Sequence, residues 1–317
     1  MSFHQSDFCR KINGCSVTSI VDLLSTQLGF TDDLKKILLE RYEIMSQNFL
    51  NETYNNDDWH QDSESNFKNI SPVPEKTDAL YSIGGGVFRQ NVQLNRLGGY
   101  YNVGMDLPVW FAKTKFNRKV MIIAQDPKRN NHESGRLILS TPWGVHSGAY
   151  ATAPARAVKT FLQYLVDELN YCVYISDCTK LYFSEVRRTP PELPITQRRE
   201  ILNNIWPNAQ KNILDSEINL FKPDVVIALG SDVIQNNPDW GIAGQDWREM
   251  VESLDGGWIN SPALGRPLLP LYHPSPLNGS GNRFVNLTFE NIPTREERWK
   301  EYFQRKLNAC LAGNAIR

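Results

Sequence analysis

Four short, almost wholly apolar runs constrain this chain more than any other feature: Val120–Ala124, Cys172–Ile175, Asp224–Gly230 and Pro267–Tyr272. Runs this short that lack a polar alternation are the mark of strands buried on both faces. Between and after them lie segments with helical character: Ala155 to Leu169, Gln197 to Leu220, and Arg295 to Leu311. Strands that alternate with helices must pair in parallel, because each crossover returns the chain to the same end of the sheet. The pattern predicts an α/β fold, a three-layer α/β/α sandwich around a central, mostly parallel four-stranded sheet. Pro267 and Pro270 cannot donate to a ladder, which suggests that the last run lies at a sheet edge.

The first third reads differently. Asp32 to Leu50 carries Leu34, Ile37, Leu38, Tyr42 and Met45 on one helical stripe, and Asn51 to Asn66 is polar and rich in Asn and Asp. These features predict an N-terminal helical extension and linker over 1–75, followed by a main domain over 76–317. A chain of 317 residues with 41% hydrophobic and 22% charged residues is long enough to bury a full core and has the balance of a soluble globular protein. No apolar stretch would cross a bilayer, and Met1–Gln5 lacks the start of a secretory signal, so the expectation is a cytoplasmic protein with no membrane partner. The five cysteines are an odd number in a long chain, which argues for reduced thiols. A net charge of −1 leaves room for local basic faces at Lys113, Lys115, Arg118 and Lys119, at Lys128 and Arg129, and at Arg187, Arg188, Arg198 and Arg199. Such clusters are usually solvated surface, but beside the strand ends they read equally as part of a nucleic-acid face.

In open parallel sheets the ligand sits at the carboxyl ends of the strands. Here those ends read Gln125-Asp126-Pro127, Ser176-Asp177 and His273-Pro274-Ser275, three polar groups that should converge on one edge. Read alone, Asp126 before a proline fits a plain turn and His273 before a proline fits a structural histidine. Together they supply what hydrolysis of an N-glycosidic bond requires. A carboxylate stabilises the sugar cation and orients water, and a donor meets the charge that develops on the departing base. Nothing implies a metal or cofactor: Cys9 and Cys15, like Cys172 and Cys178, have five residues between them, with no Cys-x-x-Cys pair. Ile83–Val87 is glycine-rich but lacks the Lys-Ser/Thr of a nucleotide-binding loop, so it reads as a turn and no nucleotide cofactor is expected.

The stretch Val120–Pro127 and the segment His273-Pro274-Ser275-Pro276-Leu277 resemble the two hallmark motifs of the uracil-DNA glycosylase superfamily. Pro142-Trp143-Gly144, Tyr174–Lys180 and Lys222–Gly230 fall, in order, where that family has its stacking aromatic, its base-reading strand end and its third strand. The resemblance implies a glycosylase domain that takes a flipped base from double-stranded DNA. Asp126 would orient water, the backbone around Gln125 would contact the base, and Trp143 would stack on it. His273 would act as a neutral donor to the base oxygen, Ser275 would hold a phosphate, and Leu277 would wedge into the duplex. The loop from Asn278 to Arg283, with Asn282 and Arg283, either follows the DNA backbone or is a flexible hairpin. Some members of the family hold an iron–sulfur cluster on four cysteines, a set this chain lacks. No lysine is placed for lyase chemistry, so the expected activity is that of a monofunctional hydrolase leaving an abasic site.

Two departures bear on the substrate. Uracil enzymes of the family read the base with Asn at the second strand end, where this chain has Asp177. An ionised carboxylate only accepts hydrogen bonds, which suits the exocyclic amine of cytosine and not the carbonyl of uracil. The family's classical members also follow Asp-Pro with a Tyr that walls off carbon 5 of the base, where this chain has Lys128. Together these imply a cytosine with a 5-substituent, as in some phage genomes, and a role in antiviral defence. Uracil excision in repair is the alternative, and a catalytically inactive DNA-binding protein of the same fold is the rival of another class.

Overall fold

The computed structural model describes residues 4–30, 32–48, 101–125, 137–147, 153–185, 206–242, 244–275 and 278–315. The Asn51–Asn66 linker, the Ile83–Val87 turn, the division at 75/76 and the basic residues Arg187, Arg188, Arg198 and Arg199 lie outside these.

Nine strands are described: β1 (Tyr101–Asp106), β2 (Val109–Phe111), β3 (Lys119–Ala124), β4 (Leu137–Ser140), β5 (Cys172–Asp177), β6 (Leu181–Glu185), β7 (Val225–Leu229), β8 (Ile259–Ser261) and β9 (Arg266–Leu271). The main sheet has the order β2-β5-β3-β7-β9-β8, and its four inner strands are the four apolar runs, all parallel. The short strands β2 and β8 close the two edges in antiparallel fashion. β9 is therefore not an edge strand, despite its prolines. Pro267 and Pro270 are three residues apart and face opposite neighbours, so each ladder forgoes only one donor. A second sheet, β4-β1-β6, stands apart from the first.

The helices are α1 (Val17–Leu28), α2 (Asp32–Asn48), α3 (Ala153–Gln163), α4 (Trp206–Phe221), α5 (Ser231–Gln235), α6 (Trp247–Glu252), α7 (Gly279–Thr288) and α8 (Arg295–Ala315). α1 and α4 pack together, and α4 lies on the sheet face toward which Tyr174 points, with the Tyr174 and Phe221 rings 4.9 Å apart. α3 and α8 pack on each other, Phe161 meeting Phe303 at 4.9 Å, and α8 lies against β9. The result is an α/β/α sandwich with N-terminal helices. The expected helix from Ala155 to Leu169 is α3 continued by a π-helical turn over Tyr164–Glu168.

The helix α1 falls within the expected N-terminal helical extension but ahead of the Asp32–Leu50 stripe that predicted it, although its ends are marked. Ser16 and Ser19 form a reciprocal capping box, and Gly29 ends the helix in the left-handed conformation at φ 71°. The apolar faces of α1 and α2 join the same continuous core as the sheet, and Tyr42 of α2 donates to the Pro108 carbonyl at 2.6 Å. A second departure concerns Asn278–Arg283, read from the sequence as a loop. It is the start of α7: the Asn278 side chain caps the helix by accepting from the Gly281 N–H at 2.9 Å. Gly281 serves close packing there, since a Cβ would lie 2.6 Å from Asn278 Nδ2 and 2.9 Å from Tyr272 Cγ.

Candidate active site

Strand register brings the expected groups to one edge. Asp177 ends β5 directly beside Ala124, the last residue of β3, and Leu271 pairs with Leu229 two residues before His273. The chain leaves β3 for β5 on one side and returns to β7 on the other, so strand order reverses at β3. That reversal opens the crevice where such sheets bind ligands. Gln125 is exposed just beyond β3. Its carbonyl accepts from the Thr179 N–H at 3.0 Å, and the Ala124 carbonyl accepts from Cys178 N–H at 2.7 Å. The two strand ends are thus stitched together past the sheet proper. Asp126, Lys128 and Leu277 lie outside the described residues.

Asp177 is 1% exposed. Below it sits a buried polar cluster on the α4 face. The Lys180 ammonium pairs with the Glu217 carboxylate, donates to the Asp177 carbonyl and reaches Ser176 Oγ at 2.5 Å. Glu217 also accepts from Tyr174 at 3.1 Å and from Ser176 at 3.2 Å. Burial pushes the Glu217 carboxyl up from its ordinary value, while Lys180 and these donors pull it down. Lys180 and Glu217 were not among the expected site residues. The signal for Glu217 is its place on the buried stripe of Ile213, Leu214, Ile218 and Phe221, where a charge at helical spacing needs a partner.

His273 follows β9 and is half-buried. Loss of water around the ring pushes its pKa down to about 4, so the imidazole is neutral at physiological pH. Its neighbours hold it in place. Tyr302 donates to the Val251 carbonyl at 2.9 Å and accepts from the Tyr272 N–H at 3.1 Å, pinning the backbone one residue upstream. Asn278 Nδ2 donates to the His273 carbonyl at 3.1 Å. On the other flank, Gly230 (φ 97°, ψ 154°) adopts a backbone open essentially to glycine alone and donates to the Leu271 carbonyl at 2.9 Å.

Trp143 comes to the same place from the second sheet. Its ring stacks on His273, centroids 5.9 Å apart and planes 26° off parallel. The turn that aims it is strained: Trp143 itself has φ 55° and Gly144 φ 65°, and a left-handed tryptophan costs on the order of 1–3 kcal/mol. Buried Thr141 and Val145 anchor the turn on either side, with the Gly144 N–H donating to the Thr141 carbonyl at 2.8 Å.

Beyond His273 the chain is braced to α7 and α8. The Ser275 carbonyl accepts from Asn282 Nδ2 at 2.8 Å, and the Pro274 carbonyl accepts from Arg295 at 3.0 Å, which also bonds Asn282 Oδ1 at 2.9 Å. The Asn282 side chain therefore shapes the loop that carries Ser275, and Arg283 stands exposed one residue further along α7. The basic cluster Lys113–Lys119 is elsewhere. Lys119 begins β3, about 16 Å from its site end at ~3.3 Å per residue, so the cluster is not beside the strand-end groups. Lys113 pairs there with Asp167 at 3.2 Å, and Lys119 donates to the Phe221 carbonyl at 2.9 Å.

Among the described residues no helix is long and apolar enough to cross a membrane, and no three His, Cys, Asp or Glu side chains gather as a metal site would require. No curated protein matches the chain. The family model of the Uracil DNA glycosylase superfamily matches residues 111–301, a span that runs from β2 into α8 and includes every strand-end group described above. The chain belongs to the uracil-DNA glycosylase superfamily.

Proposed function

We propose that this chain is a monofunctional DNA glycosylase that hydrolyses the N-glycosidic bond of a base flipped from duplex DNA, leaving an abasic site, and that its substrate is a 5-substituted cytosine. The observation that carries the substrate reading is Asp177, buried at the end of β5 in register with Ala124, two residues before Asp126. A carboxylate at that point accepts from an exocyclic amine and repels a carbonyl.

In this reading Asp126 orients the attacking water and stabilises the sugar cation, and the backbone at Gln125 contacts the base. Trp143, beside His273, stacks on the extruded ring. Flipping costs a few kcal/mol, and one aromatic stack returns about 1–3 kcal/mol. His273, neutral in its desolvated position, donates to the base oxygen as negative charge collects there. Ser275 holds a phosphate near the start of α7, Leu277 fills the gap in the duplex, and Arg283 meets the backbone. Asn282 acts through the loop it braces. With Lys128 in place of the wall against carbon 5, the pocket admits a bulky substituent, which fits excision of modified phage cytosine in antiviral defence. Residues 1–75 form an extension to a glycosylase domain over 76–317.

Incubation with duplexes carrying uracil, cytosine, hydroxymethylcytosine or glucosylated hydroxymethylcytosine tests this. The expected result is abasic sites, read by alkaline strand cleavage, in the modified-cytosine duplexes. Release of uracil alone overturns the substrate assignment, and tight binding with no abasic product from any duplex overturns the enzymatic one.

A further inference from the structure

We infer that Lys180 is a positioning residue for base discrimination: its buried ammonium ties the end of β5, so that the Asp177 side chain is presented at one fixed height to the base. The inference rests on the reading of Asp177 as the base-reading group. Three observations carry it. Lys180 and Glu217 are both fully buried and paired, an arrangement that costs desolvation and is weak as a source of stability alone. The ammonium spends a further hydrogen bond on the main-chain carbonyl of Asp177, the last residue of β5. The other members of the cluster, Ser176 and Tyr174, come from the same strand and orient Glu217, which in turn orients Lys180.

The geometry explains why a tie is needed there. The ladder between β3 and β5 ends at the Ala124–Asp177 pair, and beyond it, among the described residues, the Cys178 and Thr179 amides reach back to the β3 end. A strand end held by two bonds frays; one tied from below by a buried charge does not. Discrimination between an amine and a carbonyl depends on that stiffness, because a mobile carboxylate could retreat from the wrong base and lose the repulsion that rejects it.

The test uses the full chain. Lys180→Met alone leaves Glu217 as a buried carboxylate without its cation and is expected to lose stability or fail to fold. The informative protein is Lys180→Met/Glu217→Gln, which removes both charges yet keeps an acceptor for Tyr174 and Ser176. If Lys180 only balances charge, this double variant recovers both stability and selectivity. If Lys180 positions Asp177, it recovers stability, yet the ratio of kcat/KM for the preferred base over its competitor falls about tenfold, the scale of one lost hydrogen bond to a charged group. Hydrogen exchange supplies a readout that needs no turnover: protection of the Cys178 and Thr179 amides is expected to fall about tenfold while the β3–β7 amides keep theirs. Unchanged protection overturns the inference, as does an unchanged selectivity ratio. Should the wild type prefer uracil, the cytosine reading fails, while the positioning role is still decided by the exchange data and by the uracil-over-cytosine ratio.

Discussion

Asn278 ties two tasks together through one side chain, so its replacement separates them. Its Oδ1 caps α7 at the Gly281 N–H (2.9 Å), and its Nδ2 holds the His273 carbonyl (3.1 Å). In Asn278→Ala both bonds vanish. Loss of the cap costs about 1 kcal/mol and loss of the brace about another 1 kcal/mol, giving about 2 kcal/mol in all. For a chain of this size that lowers Tm by roughly 3 °C in a calorimetric scan. Asn278→Ser retains an N-cap acceptor of equal quality but is too short to brace His273, so it recovers about half of the lost stability. The catalytic consequence should not recover with it. On the proposed role, a histidine whose backbone drifts by a fraction of an ångström loses its alignment with the base oxygen, and single-turnover excision is expected to slow roughly tenfold or more in both variants. An Asn278→Ser protein with wild-type turnover would refute the brace, and an unchanged Tm for Asn278→Ala would refute the cap.

Other perturbations probe the site and its frame. Asp126→Ala should lower turnover by orders of magnitude and leave DNA affinity largely intact in a mobility-shift assay; full activity contradicts its role. Because burial holds His273 near pH 4, below the ordinary 6.5, the unfolded chain binds its proton first as pH falls. Its contribution to stability is thus complete above about 6.5 and is lost progressively toward 4. An NMR titration of the His273 ring checks this, and a midpoint near 6.5 contradicts it. Gly230→Ala should destabilise by about 1–3 kcal/mol from backbone strain alone, since the added Cβ meets His273 Cβ at an ordinary 3.6 Å; urea melts measure it. Lys306→Met removes the one side chain that donates to the Met250, Ser253 and Gly256 carbonyls at 2.6–2.7 Å. With several buried acceptors orphaned, the same melts should show a loss of about 3 kcal/mol.

The parts of this protein legible in one dimension are those whose physics is local. A strand buried on both faces must be apolar at every position, so Val120–Ala124, Cys172–Ile175, Asp224–Gly230 and Pro267–Tyr272 announced the parallel core and, through it, the edge where Asp177 and His273 emerge. The presence of Trp143 near that edge was legible from motif order, but not its contact with His273, which depends on a left-handed turn and a second sheet.

Local signals misled where distant packing overrode them. Two prolines made β9 look like an edge, yet the fold spends one ladder bond on each side and covers the strand with β8. Glycines at 279 and 281 spoke for a loop, but a cap from Asn278 and the close approach of Tyr272 make the segment a helix. The Lys113–Lys119 cluster adjoined a site motif in the sequence but sits at the far end of the strand, because a strand separates its ends while sequence distance does not show direction. By itself, then, the sequence determined the fold class, the family and the edge at which the candidate site groups gather, since apolar pattern and motif order act over a few residues at a time. Only the tertiary structure decided how that edge is held: Lys180 under Asp177, Tyr302 and Asn278 around His273, Arg295 on the following loop. Those partners come from separate elements, and a buried charge or carbonyl acquires its meaning only from what folding brings against it.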